Sequence, residues 1–398
     1  MQDNFRLGIY YLSLLYAFVI PLSRAGIVGI SVLLILFWIL ERRWKEKWNE
    51  LKNCKVFWAI SLLILYSLIS LLWTDLFLKS LKYISKYWYL FPTFVIFTSF
   101  PKERSSEIIK FFLFGMVISE IISYGILFEF WTTKNGTPED PTPFMDHLDY
   151  SIFLAFTSLL LLVKVLYSKY IREKMLYLFF FLTVSGNLFI TAGRSGQLAF
   201  FITLAILLFL YFRKNIWKSL SVTVAISILA ITVPMLLSDT FKNRVLDAES
   251  DIEKLFLENN YNSSWGNRIG AWEVAFYIAR ENPFLGLGNQ DNIQELRNIT
   301  SEKEHLSSLN WYPHFHNQYL DIVTALGFVG LLIFLNIFFQ IYKKEDKDRE
   351  IYLVKIVFIS IFLVGFISEP FIHKQFTMAL FSLILGYILL TGKKSEKG

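Results

Sequence analysis

The chain has 398 residues, of which 55% are hydrophobic and 18% aromatic, while only 18% carry a charge. Apolar runs long enough to cross a bilayer occur along most of it, which excludes a soluble globule and a separate soluble domain of ordinary size. The net charge of +6 does not require nucleic acid as a partner, because loop lysines and arginines that set membrane orientation explain it. Cys54 is the only cysteine, so a disulfide framework and a thiolate metal cluster are excluded.

Apolar runs separated by charged breaks predict an all-α polytopic membrane protein with about twelve transmembrane helices. No small-residue cleavage site follows the first run, which is therefore interpreted as a retained span and not as a signal peptide. The predicted spans lie near 8–22, 25–41, 57–73, 87–100, 109–129, 150–167, 175–190, 197–212, 218–237, 316–342, 352–368 and 375–391.

The distribution of positive charge predicts the orientation of these spans. An even number of spans places both termini on one face, and that face collects most of the 39 lysines and arginines. It is therefore predicted to be cytoplasmic. Three parts follow: 1–237 with nine spans, 238–315 as one large periplasmic loop containing short helices, and 316–398 with three spans and a cytoplasmic tail.

The only predicted helix within the long loop that carries a candidate site residue begins at Arg268. Asn267 can cap this helix, and the Asn282–Pro283 pair ends it. In the first turn, Arg268 would strengthen the anion site that a helix N-terminus provides. A surface salt bridge to one of the acidic residues of the loop is the competing interpretation.

A second candidate on the predicted periplasmic face is Arg194, which lies between two glycines in a short loop between the seventh and eighth spans. Positive charge is disfavoured on this face. The glycines would let the backbone approach an anion, and the guanidinium fork can hold two phosphate oxygens. An arginine whose charge is satisfied by carbonyls or by lipid phosphate explains the pattern equally well.

Two of the five histidines cluster where the long loop returns to the membrane. His314 and His316 are followed by Asn317 and Asp321, polar groups at a depth where each needs a partner. Histidine can take a proton from a hydroxyl near neutral pH, so the cluster predicts a general base at the mouth of a cavity. A metal site is the alternative, but no carboxylate or thiolate is obvious to complete the ligand set.

Two other polar features are open to more than one interpretation. Asp146, His147 and Asp149 precede the sixth span on the same face, where they either bind an acceptor substrate or only cap a helix. Glu120 lies near the middle of the fifth span. It is interpreted as a buried, hydrogen-bonded or protonated carboxyl, because an ion-coupled transporter would carry more charges at the midplane and broken helices in matching halves.

The order and spacing of four motifs resemble the O-antigen ligase and polymerase superfamily, mainly over residues 185–335. These motifs are Gly-Arg-Ser-Gly at 193–196, Gly-Asn-Arg-Ile-Gly-Ala-Trp at 266–272, Asn-Pro-Phe-Leu-Gly-Leu-Gly at 282–288 and His-Phe-His-Asn at 314–317. The resemblance implies a multi-pass glycosyltransferase of the GT-C type in the bacterial inner membrane. Such an enzyme works at the periplasmic face without a metal, another cofactor or a nucleotide sugar.

The resemblance also implies a reaction. A glycan passes from undecaprenyl pyrophosphate to a sugar hydroxyl of lipid A–core, with inversion at the anomeric carbon. A polymerase that extends lipid-linked glycan and a protein O-oligosaccharyltransferase remain alternatives. A polysaccharide flippase or exporter fits less well, because the cations lie at one face and do not line a route through the bilayer. Besides donor and acceptor, only membrane lipids are expected as partners, and nucleic acid is not.

Roles for individual residues follow from the same resemblance. His316 is the expected catalytic base. Arg194 and Arg268 are expected to bind pyrophosphate. The remaining candidates are orienting groups, namely His314, Asn317 and Asp321, and groups that contact the acceptor, namely Asp146, His147 and Asp149.

Overall fold

A computed structural model describes residues 2–134, 136–237 and 261–392, together with scattered positions between 238 and 260. Within these ranges the chain is helical, with no strand beyond an isolated bridge between Thr137 and Asp140. Much of the first third of the predicted long loop, and the end of the predicted cytoplasmic tail, lie outside the described residues.

Each predicted span overlaps a described helix. In chain order the described helices are α1 (Gln2–Val19), α2 (Arg24–Leu40), α3 (Trp44–Lys52), α4 (Lys55–Ile69), α5 (Phe77–Ser85), α6 (Phe91–Ser99), α7 (Ser106–Leu127), α8 (His147–Tyr167), α9 (Ile171–Ile190), α10 (Arg194–Tyr211), α11 (Ile216–Leu237), α12 (Ser264–Glu281), α13 (Asp291–Glu302), α14 (Gln318–Lys343), α15 (Arg349–Gly365) and α16 (Gln375–Thr391). Four of these helices, α3, α5, α12 and α13, lie outside the predicted spans.

Seven helical stretches in the described ranges are long and apolar enough to cross a membrane. Helices α2 and α3, which meet at a bend of 114°, add an eighth if they count as one span. Helix α6 has only 9 residues, too few for a full bilayer crossing, whereas the 17 residues of α16 are at the lower limit of the required length. The protein is therefore a multi-pass membrane protein, and the number twelve stays a prediction.

Helix α8 lies at the centre of the bundle. Its apolar side chains are buried on every side, and it packs against α9, α10, α15 and α16. A helix that is hydrophobic all round can be covered either by lipid or by other helices, and here the neighbouring helices cover it. Asp146 caps its first turn by accepting a hydrogen bond from the backbone N–H of Asp149. The N-terminus of α8 is thereby fixed beside the loops that carry the candidate site.

Helix α14 is interrupted at Gly327, whose φ of 65° and ψ of −174° lie outside the helical region. The segment after α12 fills the interruption, because the backbone N–H groups of Leu287 and Gly288 donate to the carbonyls of Thr324 and Ala325. A Cβ atom at Gly327 would overlap the backbone of Phe284. The Asn-Pro-Phe-Leu-Gly-Leu-Gly motif at 282–288 thus joins the extramembrane loop to a broken membrane helix.

Helix α12 starts earlier than the sequence predicts. Ser263 is its N-cap and accepts a hydrogen bond from the N–H of Gly266, so the predicted cap at Asn267 is wrong. Asn267 lies inside the helix and accepts a hydrogen bond from Ser308. Arg268 consequently occupies the second turn, where it no longer adds to a helix N-terminus. The predicted end at Glu281 agrees with the structure.

A second hydrophobic core holds α12 against the membrane bundle. Its buried members come from α12, from α13 and the chain after it, and from the start of α14, and they include Val274, Ile278, Leu306, Phe315 and Leu320. Because Phe315 lies between the two histidines of the candidate site, this core connects the position of Arg268 to that of His314 and His316.

Candidate active site

The turn that carries both histidines is held by backbone hydrogen bonds to its polar neighbours. Asn317 is the N-cap of α14 and accepts from the N–H groups of Tyr319 and Leu320. Asp321 accepts from the N–H of Phe315 at 2.9 Å. These contacts give the two predicted orienting residues a role in shaping the backbone, since neither bond is to a histidine ring.

His316 adopts a left-handed backbone conformation, with φ of 50°. This conformation costs a non-glycine residue free energy and persists only where surrounding contacts require it. The backbone N–H of His316 donates to Nδ1 of His314 at 3.2 Å. The left-handed turn therefore brings the two rings together, with centroids 4.4 Å apart.

Glu369 joins both histidines and comes from the connection between α15 and α16. Its Oε2 lies 2.7 Å from Nδ1 of His316, and its Oε1 lies 3.2 Å from Nε2 of His314. The Glu369 side chain is only 1% exposed, whereas each histidine is 20% exposed. A buried carboxylate thus supports two rings that remain accessible.

These contacts assign the protons. Because Nδ1 of His314 accepts from the backbone, the proton of the neutral ring lies on Nε2, 3.2 Å from Oε1 of Glu369. Burial lowers the pKa of His314 to about 4 against the opposing charge of Glu369, so this ring is neutral at pH 7. Nδ1 of His316 donates to the other oxygen of Glu369, which leaves Nε2 of His316 as a proton acceptor.

Lys374 keeps Glu369 ionised. Burial alone would raise the pKa of this carboxyl, but the hydrogen bond from His316 and the charge of Lys374, at 3.1 Å, lower it to about 2. The pKa of Lys374 itself is raised, because Asp149 and Glu369 outweigh its burial. A carboxylate that stays charged can fix the tautomer of His316 and stabilise the imidazolium once it forms.

Arg268 lies beside this group and half-buried. Burial lowers its pKa, the charge of Glu369 opposes this effect, and Arg194 adds a like charge close enough to act on it. Arg194 is the first residue of α10 and does not lie within a loop as predicted. Its guanidinium therefore lies at the N-terminus of a helix, where the helix dipole adds to its positive charge. The two arginines form one cationic region next to the histidine pair.

The glycines on either side of Arg194 serve helix packing. A Cβ atom at Gly193 or Gly196 would overlap Ser151 of α8, and the N–H of Gly196 donates to the Ser151 hydroxyl at 3.1 Å. The glycines were predicted to let the backbone approach an anion, but in the structure they let α10 pack closely against α8. This contact fixes the backbone of Arg194 relative to the central helix, α8.

The three predicted acceptor-binding residues lie at the start of α8 and differ in their surroundings. Asp149 is buried, with Oδ1 3.7 Å from Nζ of Lys374, and Asp146 is 3.8 Å from the same nitrogen. His147 faces Asp140 at 3.2 Å. Asp146 and Asp149 therefore border the site through Lys374, while His147 is directed to a neighbouring loop.

Sequence comparison matches part of the chain to a known family. The family model described as O-antigen ligase matches residues 178–335. Residues 178–335 carry the O-antigen ligase domain. The predicted resemblance is thereby confirmed for the part of the chain that contains Arg194, Arg268, His314 and His316.

Two relatives extend the comparison. An uncharacterized protein of Haemophilus influenzae is 26% identical over 313 residues, which cover 75% of this chain and 76% of that protein. The O-antigen ligase of Escherichia coli is 22% identical over 194 residues, which cover 48% of this chain and 46% of that protein. The similarity to the named ligase thus covers less than half of either chain.

Glu369 and Lys374 lie beyond the O-antigen ligase domain, and the sequence analysis missed both. Their signal was a group of ionisable residues, Glu369, His373 and Lys374, between the last two predicted spans and on the same face as the histidines. Helical periodicity says nothing about which loops meet across a bundle. Only the packing of α15 and α16 beside α14 and α8 brings this connection to the ligase domain.

The statement that no carboxylate completes a metal-ligand set is wrong. Ligand atoms of His314, His316 and Glu369 lie within 4.8 Å of one another, close enough for three ligands of one ion. Nδ1 of His316 and Oε2 of Glu369 already share a hydrogen bond, and Lys374 supplies a positive charge to Glu369. The arrangement suits a base and its positioning carboxylate, and a metal ion there would have to displace these contacts.

Proposed function

We propose that this chain is an O-antigen ligase that transfers a glycan from undecaprenyl pyrophosphate to a sugar hydroxyl of a lipid A–core acceptor. The observation that carries the proposal is the joining of His316 to ionised Glu369 beside Arg268 and Arg194. A general base and preorganised cations are what glycosyl transfer from a pyrophosphate requires.

The acceptor hydroxyl loses its proton to Nε2 of His316. As the hydroxyl oxygen forms a bond to the anomeric carbon, the bond from that carbon to the pyrophosphate oxygen breaks. The leaving undecaprenyl pyrophosphate takes the electron pair. Attack opposite the leaving group inverts the anomeric centre. Glu369 accepts a hydrogen bond from His316 and offsets the charge that His316 gains.

Arg194 and Arg268 stabilise the charge that develops on the leaving pyrophosphate. Guanidinium groups bind phosphate oxygens in pairs, and a half-buried site strengthens such contacts relative to bulk water. The proximity of two like charges, which lowers the pKa of Arg268 further, is relieved when an anion binds between them. This supports the arginines as a donor site.

The same chemistry would serve a polymerase or a protein O-oligosaccharyltransferase, which differ from a ligase in the acceptor. The match to a model described as O-antigen ligase and the similarity to a named ligase favour the lipid A–core acceptor. A flippase would not need a base joined to a buried carboxylate. We place the site at the periplasmic face of the inner membrane, with both termini cytoplasmic, from the distribution of lysine and arginine.

The identity of the product tests the proposal. Purified protein in liposomes receives undecaprenyl-pyrophosphate glycan together with lipid A–core, and the products are separated by size. A conjugate of glycan and lipid A–core supports a ligase. Longer lipid-linked glycan without conjugate identifies a polymerase, and protection of the glycan from an external glycosidase without any new bond identifies a flippase.

A further inference from the structure

A cavity of about 450 Å³ opens beside His314, and its lining is strongly basic. Four of its lining residues are lysines, namely Lys79, Lys82, Lys86 and Lys374. Asp321 is the single carboxylate in the lining, and it already accepts a hydrogen bond from the backbone of Phe315. The cavity therefore has a large excess of positive charge.

Three of the four lysines belong to one helical surface. Lys79, Lys82 and Lys86 are spaced three and four residues apart on α5 and its continuation, so they share a face. The exposed apolar residues of α5, Phe77, Leu78 and Leu81, are displaced from that face by the helical rotation. The helix thus separates an apolar side, suited to lipid, from a lysine side that lines the cavity.

The charge of this lysine face is not neutralised by the described part of the protein. Lys79, Lys82 and Lys86 make no ion pair within 4.0 Å to a described carboxylate. Asp291 acts on Lys79 from a greater distance, but its oxygens accept hydrogen bonds from Thr74 and from the N–H of Leu76. Neighbouring ammonium groups repel one another, so the cavity favours an anionic ligand.

The lysine cavity differs from the arginine region but borders two residues that contact Glu369. Arg194 and Arg268 are not among its lining residues, whereas His314 and Lys374 are. Lys374 and His314 both contact Glu369, which in turn binds His316. Two cationic regions thus lie near the group formed by Glu369 and the two histidines, an arrangement that suits a transferase with two substrates.

We propose that the lysine cavity is the acceptor site and that Lys79, Lys82 and Lys86 bind phosphate on the acceptor saccharide. This inference rests on the proposed transfer reaction and adds the chemical class of the acceptor, a phosphorylated saccharide. A phosphate carries two negative charges and a carboxylate carries one, so several ammonium groups favour phosphate as the ligand. A saccharide anchored on α5 can present its hydroxyl to the histidines.

Binding measurements on the full chain in phosphatidylcholine nanodiscs test the inference. The probes are a phosphorylated core oligosaccharide, the same oligosaccharide after phosphatase treatment, and undecaprenyl-pyrophosphate glycan. We expect the double variant Lys82→Gln/Lys86→Gln to bind the phosphorylated core at least about tenfold more weakly, and Lys82→Arg/Lys86→Arg to retain binding. Both variants should bind the donor as the wild type does.

A matched control changes two exposed lysines outside the cavity. Lys134→Gln/Lys303→Gln removes the same charge from extramembrane loops and should leave binding of all three probes unchanged. Equal wild-type affinity for the phosphorylated and dephosphorylated core would overturn the inference. So would a loss of donor binding in Lys82→Gln/Lys86→Gln, which would assign the lysines to the pyrophosphate.

Anionic lipid is the third occupant to distinguish. If Lys82→Gln/Lys86→Gln changes only the response to added phosphatidylglycerol, the lysines bind headgroups and the inference fails. The outcome is separable from the proposed function, because binding of the phosphorylated core is measured without catalysis. A wild type that binds this probe through the lysines and yet forms no conjugate would contradict the ligase reaction alone.

Discussion

His316 can act as a base only because three other groups hold it in one state. The backbone of its turn is left-handed, Glu369 accepts a hydrogen bond from the Nδ1–H group, and Lys374 keeps Glu369 charged. In this arrangement Glu369 is a positioning residue, since it acts on substrate only through the ring of His316. The sequence predicted the base, but the carboxylate lies 53 residues further along the chain.

Removal of the charge on Glu369 should therefore reduce catalysis more than binding. We expect Glu369→Gln to lower kcat about 10²-fold or more, because the amide no longer fixes the tautomer of His316 or stabilises its cation. The KM for the donor should change little. Steady-state kinetics in liposomes check this, with Glu302→Gln, an exposed carboxyl of α13, as the matched control. An unchanged kcat in Glu369→Gln would contradict the assignment.

The neutral state of His314 predicts a stability that depends on pH. In the unfolded chain a histidine binds its proton near pH 6.5, whereas burial lowers the pKa of native His314 to about 4. Between these values the unfolded state binds more protons, so stability falls as the pH falls. From pH 7 to pH 5 this group alone accounts for at most about 2 kcal/mol.

Thermal unfolding of the detergent-solubilised protein at pH 7 and pH 5 measures this effect. The wild type should lose more Tm on acidification than His314→Gln does. Comparison of the two proteins removes the contribution of His373, whose pKa burial also lowers. Glu369 does not contribute within this window, because its stabilisation is lost only below pH 4.5, as the pH falls towards 2. Equal shifts in both proteins would rule out a neutral buried His314.

At the scale of elements, the active site depends on how a broken helix is repaired. Helix α14 opens at Gly327, and the backbone after α12 supplies the hydrogen bonds that the opening leaves unmade. The same chain segment connects α12, which carries Arg268, to α13. The interruption therefore couples the position of Arg268, the proposed donor-binding arginine, to the helix that follows His316.

Gly327→Ala should weaken this coupling. Its backbone conformation is nearly restricted to glycine, and the added methyl group would overlap the backbone of Phe284, so we expect a loss of about 1–3 kcal/mol of stability. Thermal unfolding and conjugate yield measure the effect. Gly29→Ala is the control, because a Cβ atom there meets nothing within 4 Å and should be neutral or slightly stabilising. Equal behaviour of the two variants would contradict the proposed role of the interruption.

Periodicity and breaker residues predicted the helices well, since each predicted span overlaps a described helix and α12 ends at Glu281 as expected. They did not predict α5 as a separate lysine-bearing helix, because nine residues with two lysines and a third lysine directly after them resemble a charged loop. The cap of α12 was missed because Ser263 and Asn267 are both good caps and only packing selects between them. Local patterns thus defined elements, while the partners of the histidines depended on tertiary structure.

At the scale of the whole molecule, all the proposed chemistry lies at one end of the bundle. Four separate segments, which the charge distribution assigns to the periplasmic face, supply the residues of the candidate site. These residues are Arg194, Arg268, His316 and Glu369. The donor lipid can remain in the membrane while its pyrophosphate reaches the arginines. The predicted orientation is therefore as important to the reaction as the residues themselves.

Cysteine labelling tests that orientation, because Cys54 is the only native cysteine. In a Cys54→Ser background, Lys303→Cys should react with a membrane-impermeant maleimide added to cells with a permeabilised outer membrane. Lys347→Cys, in the connection between α14 and α15, should react only after the inner membrane is opened. The reverse pattern would place the candidate site in the cytoplasm and exclude the proposed reaction.

Conjugate formation by His316→Ala is the most direct test of the central claim, that this chain joins a lipid-linked glycan to an acceptor hydroxyl with His316 as base. Wild type and variant are reconstituted with undecaprenyl-pyrophosphate glycan and lipid A–core in buffer containing EDTA. The wild type should form conjugate at an undiminished rate, and the folded variant should be slower by about 10²- to 10⁴-fold. Full activity in His316→Ala, or a wild-type reaction that EDTA abolishes, would contradict the mechanism.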